Sequence, residues 1–180
     1  MSTRARSYPS KFIVRTLRAS ARTGFLQCGA FRMPCALGRS GVRTMKREGD
    51  GATPRTAMRI LSVYYNPSRG PRPLTALPVR AIRPSDGWCD APADRNYNRA
   101  VRHPYPVSAE HLWRADAVYD LIVVLDYNIR PRSRGAGSAI FMHVARAGYQ
   151  PTEGCIALRA ADLRKVLSIA NGRTRVLTDL

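Results

Sequence analysis

A chain of 180 residues, 44% of them apolar, is long enough to close one core, and its formal charge of +18 is extreme. The 27 arginines that carry most of this charge run along the whole chain with no basic helix, finger spacing or aromatic RNP-like run, so no specific nucleic-acid partner is expected. No run approaches the length of a membrane span, and Arg15 interrupts the only apolar stretch near the start, so the chain reads as cytoplasmic, with the cell envelope open to it only by another route of export.

Residues 1–10 are polar and read as a flexible segment ahead of a single domain over 11–180. Lys11 to Leu17 alternates as a strand. Gly24 to Cys28 and Phe31 to Leu37 form a hairpin turning at Gly29-Ala30, where Pro34 points to an edge or a bulge. Gly38 to Pro54 is a glycine-rich loop, but it lacks the Gly-x-x-x-x-Gly-Lys-Ser/Thr order of a phosphate loop. Met58 to Tyr65 is a strand and Val79 to Ile82 a short edge strand. Asp86 to Tyr105 is long and mostly irregular. Ser108 caps a short helix running to about Val118, with Glu110 in its first turn. Asp120 to Asp126 is a buried central strand. Ala160 to Ala170 has apolar residues at helical spacing, Asn171-Gly172 ends that helix, and Arg175 to Leu177 closes the chain as a strand.

Two apolar runs between these elements carry the chemistry. Ala139 to Val144 contains His143; a loop with Gly148, Pro151 and Gly154 leads to Cys155 to Leu158. Adjacent strands would bring imidazole and sulfur together, although they stand 12 positions apart. A thiol with a pKa of about 8.5 is mostly protonated at neutral pH, so a neighbouring imidazole that takes its proton supplies the nucleophile. Glycine before the sulfur allows a sharp turn and exposes N–H groups to an incoming carbonyl. His143, Gly154 and Cys155 are therefore the candidate catalytic residues of an acyl-transfer site.

The rival readings are weaker. Cys89 lacks a strand-borne histidine, His111 is a lone histidine on the expected helix, and Cys28 and Cys35 read as packing residues. Asp86, Asp90 and Asp94 recur every four residues, but without the 12-residue loop of a calcium hand they read as turn caps and arginine partners. No Cys-x-x-Cys is present, so neither metal nor cofactor is expected.

His143 followed by Thr152-x-Gly154-Cys155 resembles the L,D-transpeptidase (YkuD-type) catalytic domain, whose signature is a histidine and then a Ser/Thr-x-Gly-Cys element. Lys46-Arg-Glu-Gly-Asp50-Gly-Ala-Thr53-Pro54 is similar to a stretch such domains carry near their start, and Gly87-Trp88-Cys89-Asp90, Tyr97-Asn98-Arg99 and Gly135-x-Gly137-Ser138 fit one branch of the family. The resemblance covers roughly residues 35 to 180. It implies a mainly β domain, a curved sheet or β-sandwich with one or two short helices. It also implies a Cys155 thioester formed with peptidoglycan stem peptides or muropeptides and sensitivity of that thiol to carbapenems, in a monomer. An amine acceptor would make the chain a transpeptidase and water an L,D-carboxypeptidase or amidase; an inactive basic binding module is the remaining alternative.

Two positions depart from the family pattern: Val144 stands in place of the usual glycine, and Ala157 in place of an arginine two residues after the cysteine. Arg159 shares the strand face of Ala157 by alternation and is the candidate substitute. Trp88 and Tyr97 are expected in an aromatic wall, Arg99 as a carboxylate partner, and Tyr149 and Thr152 in the pocket.

Overall fold

The computed structural model describes residues 8–16 and 18–178, so the expectations for residues 1–7 and for a strand reaching Leu17 lie outside the described residues. In chain order the strands are β1 (Lys11–Arg15), β2 (Thr23–Cys28), β3 (Phe31–Ala36), β4 (Val42–Arg43), β5 (Thr53–Pro54), β6 (Ala57–Tyr65), β7 (Val79–Ala81), β8 (Asp86–Cys89), β9 (Arg99–Arg102), β10 (Ala109–His111), β11 (Leu121–Leu125), β12 (Phe141–Val144) and β13 (Ile156–Leu158). Helix α1 (Ala160–Ser168) and strand β14 (Arg175–Thr178) follow.

The main sheet runs β11-β12-β13-β3-β2-β1-β14-β6-β7, and an extra pairing of β11 with β6 closes it on itself. Closure removes free edges, which leaves short β7 to finish the sheet. The β2–β3 hairpin turns at Gly29, whose φ is +54°. Pro34 is tolerated inside β3 because β13 pairs only with Cys35 and Ala36, leaving the proline bonded to β2 alone.

Alternation along the strands sorts the side chains into two cores. Met142, Val144, Ile156 and Leu158 face the core enclosed by the closed sheet, into which α1 lays Leu163, Val166 and Leu167. Phe141 and Cys155 belong to a second core outside it, with Ile122, Val124, Trp88, Leu112, Val118 and Tyr119. The small sheet β10-β8-β9 and a 3-10 turn at Ala117–Tyr119 cover this outer face.

One expectation changes here and another is refined. No helix starts at Ser108: Ala109 to His111 pairs antiparallel with Cys89 to Gly87, and sheet pairing overrides the local capping signature. The stretch Asp86 to Tyr105 is mostly irregular as expected, but it also contains two strands that the sequence did not signal, β8 and β9, paired from Asp86↔Arg102 to Cys89↔Arg99. Asp86 accepts from Arg80 at 2.6 Å and from the Arg83 backbone at 2.8 Å; Asp94 accepts from the Asn96 backbone and the Tyr105 hydroxyl. Among the described residues no cluster of His, Cys, Asp or Glu is arranged to hold a metal ion, and no helix is long and apolar enough to cross a membrane.

Asn98 ties the small sheet to the loop before β12. It is buried and left-handed at φ +54°, a conformation asparagine accepts more readily than most residues. Its Oδ1 accepts from Trp88 Nε1 at 2.9 Å and from Ala139 N at 3.1 Å, while Nδ2 donates to the carbonyls of Tyr127 and Asn128 at 3.0 and 2.8 Å. Truncation leaves several buried polar groups without partners, so Asn98→Ala is expected to destabilise the fold by about 3 kcal/mol in urea unfolding. Exposed Arg99→Ala is expected to stay within about 0.5 kcal/mol of the parent.

Candidate active site

Strands β12 and β13 pair in parallel with His143 opposite Ala157, so Phe141 and His143 share the outer face with Cys155 and Ala157. Imidazole and thiol open onto one cavity of about 310 Å³. Thr152 fixes the turn into Cys155: its hydroxyl donates to the Cys155 carbonyl at 2.7 Å and accepts from Gly154 N at 3.2 Å, and residue 152 forms a parallel bridge with Gly38. The Thr-x-Gly-Cys spacing is thus a side-chain-closed turn that ends at the sulfur.

Gly154 serves a different purpose from the oxyanion donor expected of it. Its N–H is engaged by Thr152, its φ is +134°, and a Cβ there would lie 2.7 Å from the Ala52 carbonyl oxygen. Glycine is required because the loop before β5 passes against it.

Cys155 Sγ donates to the Ala139 carbonyl at 3.2 Å and accepts from Phe141 N at 3.4 Å. Ala139 is itself left-handed at φ +52°, a costly conformation for alanine, and Asn98 holds its N–H. Burial pushes the thiol pKa up to about 12; the charge of Glu110 adds to this and the Phe141 N–H works against it. Burial likewise pushes His143 down to about 4, opposed by its hydrogen bond to Val144 O and reinforced by Arg146 and Arg114. Thiol and imidazole are therefore each neutral at rest. His143 Nδ1 lies 3.0 Å from the Val144 carbonyl, which can only accept, so Nδ1 carries the hydrogen and Nε2 keeps its lone pair. The Tyr119 ring stands edge-on to the imidazole at 5.6 Å, and its hydroxyl donates to Glu110 at 2.5 Å.

Of the six pocket residues expected from sequence, only Thr152 lines this cavity. Trp88 is buried behind β12, edge-on to Phe141 at 5.1 Å. Tyr97 is buried beneath the wall, its hydroxyl donating to Glu48 and accepting from Gly137 N. Arg99 lies in a separate shallow groove with Tyr64 and Arg130. Tyr149, left-handed at φ +53°, faces a larger groove with Arg15, Arg22 and Phe25. Arg159 does not replace the missing arginine: the strand ends at Leu158, and Arg159 turns outward to pair with Asp162 at 3.1 Å. Arg114 and Arg146 supply the cavity's guanidinium groups instead, both reaching Asp116. The rest of its polar lining is Glu48, Asp90, Glu110, Ser138 and Glu153. His111 stacks on His103 at 3.6 Å and Cys89 is buried in the small sheet, both away from the cavity.

Two pH effects follow. With the thiol at about 12, alkylation of Cys155 by iodoacetamide, read by peptide mass, is expected to climb through pH 10 without a plateau; a thiolate–imidazolium pair would level off near neutrality. His143 stays neutral in the fold down to about pH 4 but takes a proton near 6.5 when unfolded. Its contribution, about 3 kcal/mol, is present above pH 6.5 and lost as pH falls to 4, so His143→Phe is expected to flatten that part of the stability curve.

No curated protein and no solved structure matches the chain. The family model described as L,D-transpeptidase catalytic domain, YkuD, matches residues 20–177. That span holds the closed sheet from β2 onward, the Thr-x-Gly-Cys turn, His143 and Cys155, and the chain belongs to this L,D-transpeptidase family, which acts on peptidoglycan.

Proposed function

We propose that the chain transfers acyl groups of peptidoglycan stem peptides through a thioester on Cys155. The observation that carries this reading is the outward face shared by His143 and Cys155 on paired strands, opening onto one cavity. Sγ attacks the carbonyl of the L-centre in an L-to-D bond as its proton passes to Nε2 of His143. The C–N bond then breaks, and that proton leaves on the nitrogen of the departing D-amino acid. Because both groups are neutral at rest, proton transfer accompanies attack. The Val144 carbonyl, holding Nδ1–H, stabilises the imidazolium as it forms. The Cys155 N–H, which Thr152 does not engage, is the backbone donor best placed for the oxyanion.

Purified protein incubated with a disaccharide tetrapeptide, with and without an acceptor stem, is expected to release the terminal D-amino acid and to form a cross-linked dimer when acceptor is present. A carbapenem is expected to leave a mass adduct on the Cys155 peptide. Cys155→Ala should abolish both, and His143→Gln should slow turnover by about 10²–10⁴. Tripeptide as the sole product would make the chain an L,D-carboxypeptidase. No product and no adduct would leave a basic binding module.

A further inference from the structure

The cavity carries a charge pattern opposite to that of the chain. The sequence has 30 basic and 12 acidic side chains, yet all three of its glutamates, with Asp90, line this one cavity. Glu153 is paired with Arg39 at 2.8 Å. Among the described residues, Glu48, Asp90 and Glu110 have no ion pair. The nearby cations are already engaged: Arg114 and Arg146 reach Asp116, and Lys46 is held by Asp50 at 2.7 Å.

Two further observations point to a ligand. Asp90 Oδ1 is buried with no donor, and Ser138 Oγ, on a residue 7% exposed, is buried with only a loose contact to the Tyr97 phenol for a polar partner. Both residues line the cavity. Leaving such atoms unpaired is costly, and a group bringing several N–H donors and a positive charge satisfies them together. Burial raises the Glu110 pKa; the Tyr119 hydroxyl opposes this, and the charges of Asp90 and Glu48 add to it, a repulsion a bound cation relieves. The carboxylates are not gathered as metal ligands among the described residues, so an ammonium fits better than a divalent ion.

We propose that Glu48, Asp90, Glu110 and Ser138 form the recognition site for the primary ammonium of the acceptor that resolves the Cys155 thioester. This rests on the acyl-transfer reading above. The departing D-amino acid carries a carboxylate that this wall repels, whereas an incoming ammonium is drawn to it in preference to water. The acceptor enters as R–NH3+; one proton passes to a carboxylate of the wall and on to solvent. The neutral nitrogen forms the C–N bond as the C–S bond breaks, and a second proton passes through His143 to the Cys155 sulfur. The amide keeps the third hydrogen.

Two measurements on the full chain test this. In the first, n-pentylammonium and its neutral isostere 1-pentanol are titrated by NMR into Cys155→Ala protein. At least tenfold tighter binding of the cation, lost in Glu48→Gln/Asp90→Asn, is expected; equal binding of the two probes overturns the proposal. In the second, the ratio of cross-linked to hydrolysed product is measured for thioester formed from the tetrapeptide. This ratio does not depend on how fast the thioester forms. It is expected to fall at least tenfold in Glu48→Gln/Asp90→Asn, and an unchanged ratio overturns the proposal even while the acyl-transfer reading stands. Charge-selective binding that requires Glu48 and Asp90, in a parent that forms no thioester, supports the ammonium site and overturns the acyl-transfer reading instead.

Discussion

The parallel pairing of β12 with β13 is the constraint on which the rest depends. A shift of one residue by either strand would turn its own side chain, His143 or Cys155, into the enclosed core and bring Met142 or Ile156 out. Register is held from both sides: Met142, Val144, Ile156 and Leu158 are needed inside, while Phe141 and Cys155 pack under the small sheet outside. The chemistry thus inherits its geometry from two hydrophobic cores that meet at one pair of short strands.

The second core also explains the electrostatics. A thiol and an imidazole placed among apolar side chains both lose access to water, so each favours its uncharged form. The polar supports are local and directional: Ala139 O for the thiol, Val144 O for the ring, Thr152 for the turn that carries the sulfur. Asn98 joins them to the small sheet through the Ala139 N–H.

Much of this was legible in the sequence where a local rule held. His143 and Cys155 stood on apolar runs around a turn-rich loop, and the expectation that these runs form adjacent strands placed them on neighbouring strands. The β2–β3 hairpin, the buried strand at Leu121–Leu125 and the helix after Leu158 followed from the same kind of pattern. The errors came where long-range contacts decide. Ser108 and Glu110 imitate a helix start, but β8 offers a partner strand and Tyr119 takes the carboxylate. Alternation carried Arg159 into the pocket on paper, yet it applies only while the strand continues, and the chain turns into α1 at that residue. Glu48, Asp90 and the stretch that carries Glu110 and Arg114 come from three segments far apart in the chain, so only the folded chain brings them to one wall.

Three glycines from distant parts of the chain, Gly38, Gly137 and Gly154, lie flush against the segment between Lys46 and Thr53, where any Cβ would strike it. That segment is accordingly seated like a keystone, with Glu48 fixed in position relative to the sulfur. Diversification of such a scaffold toward new ligands is channelled into exchanging the side chains on the wall, since lengthening or re-routing this segment would dislodge the turn that carries Cys155 along with it.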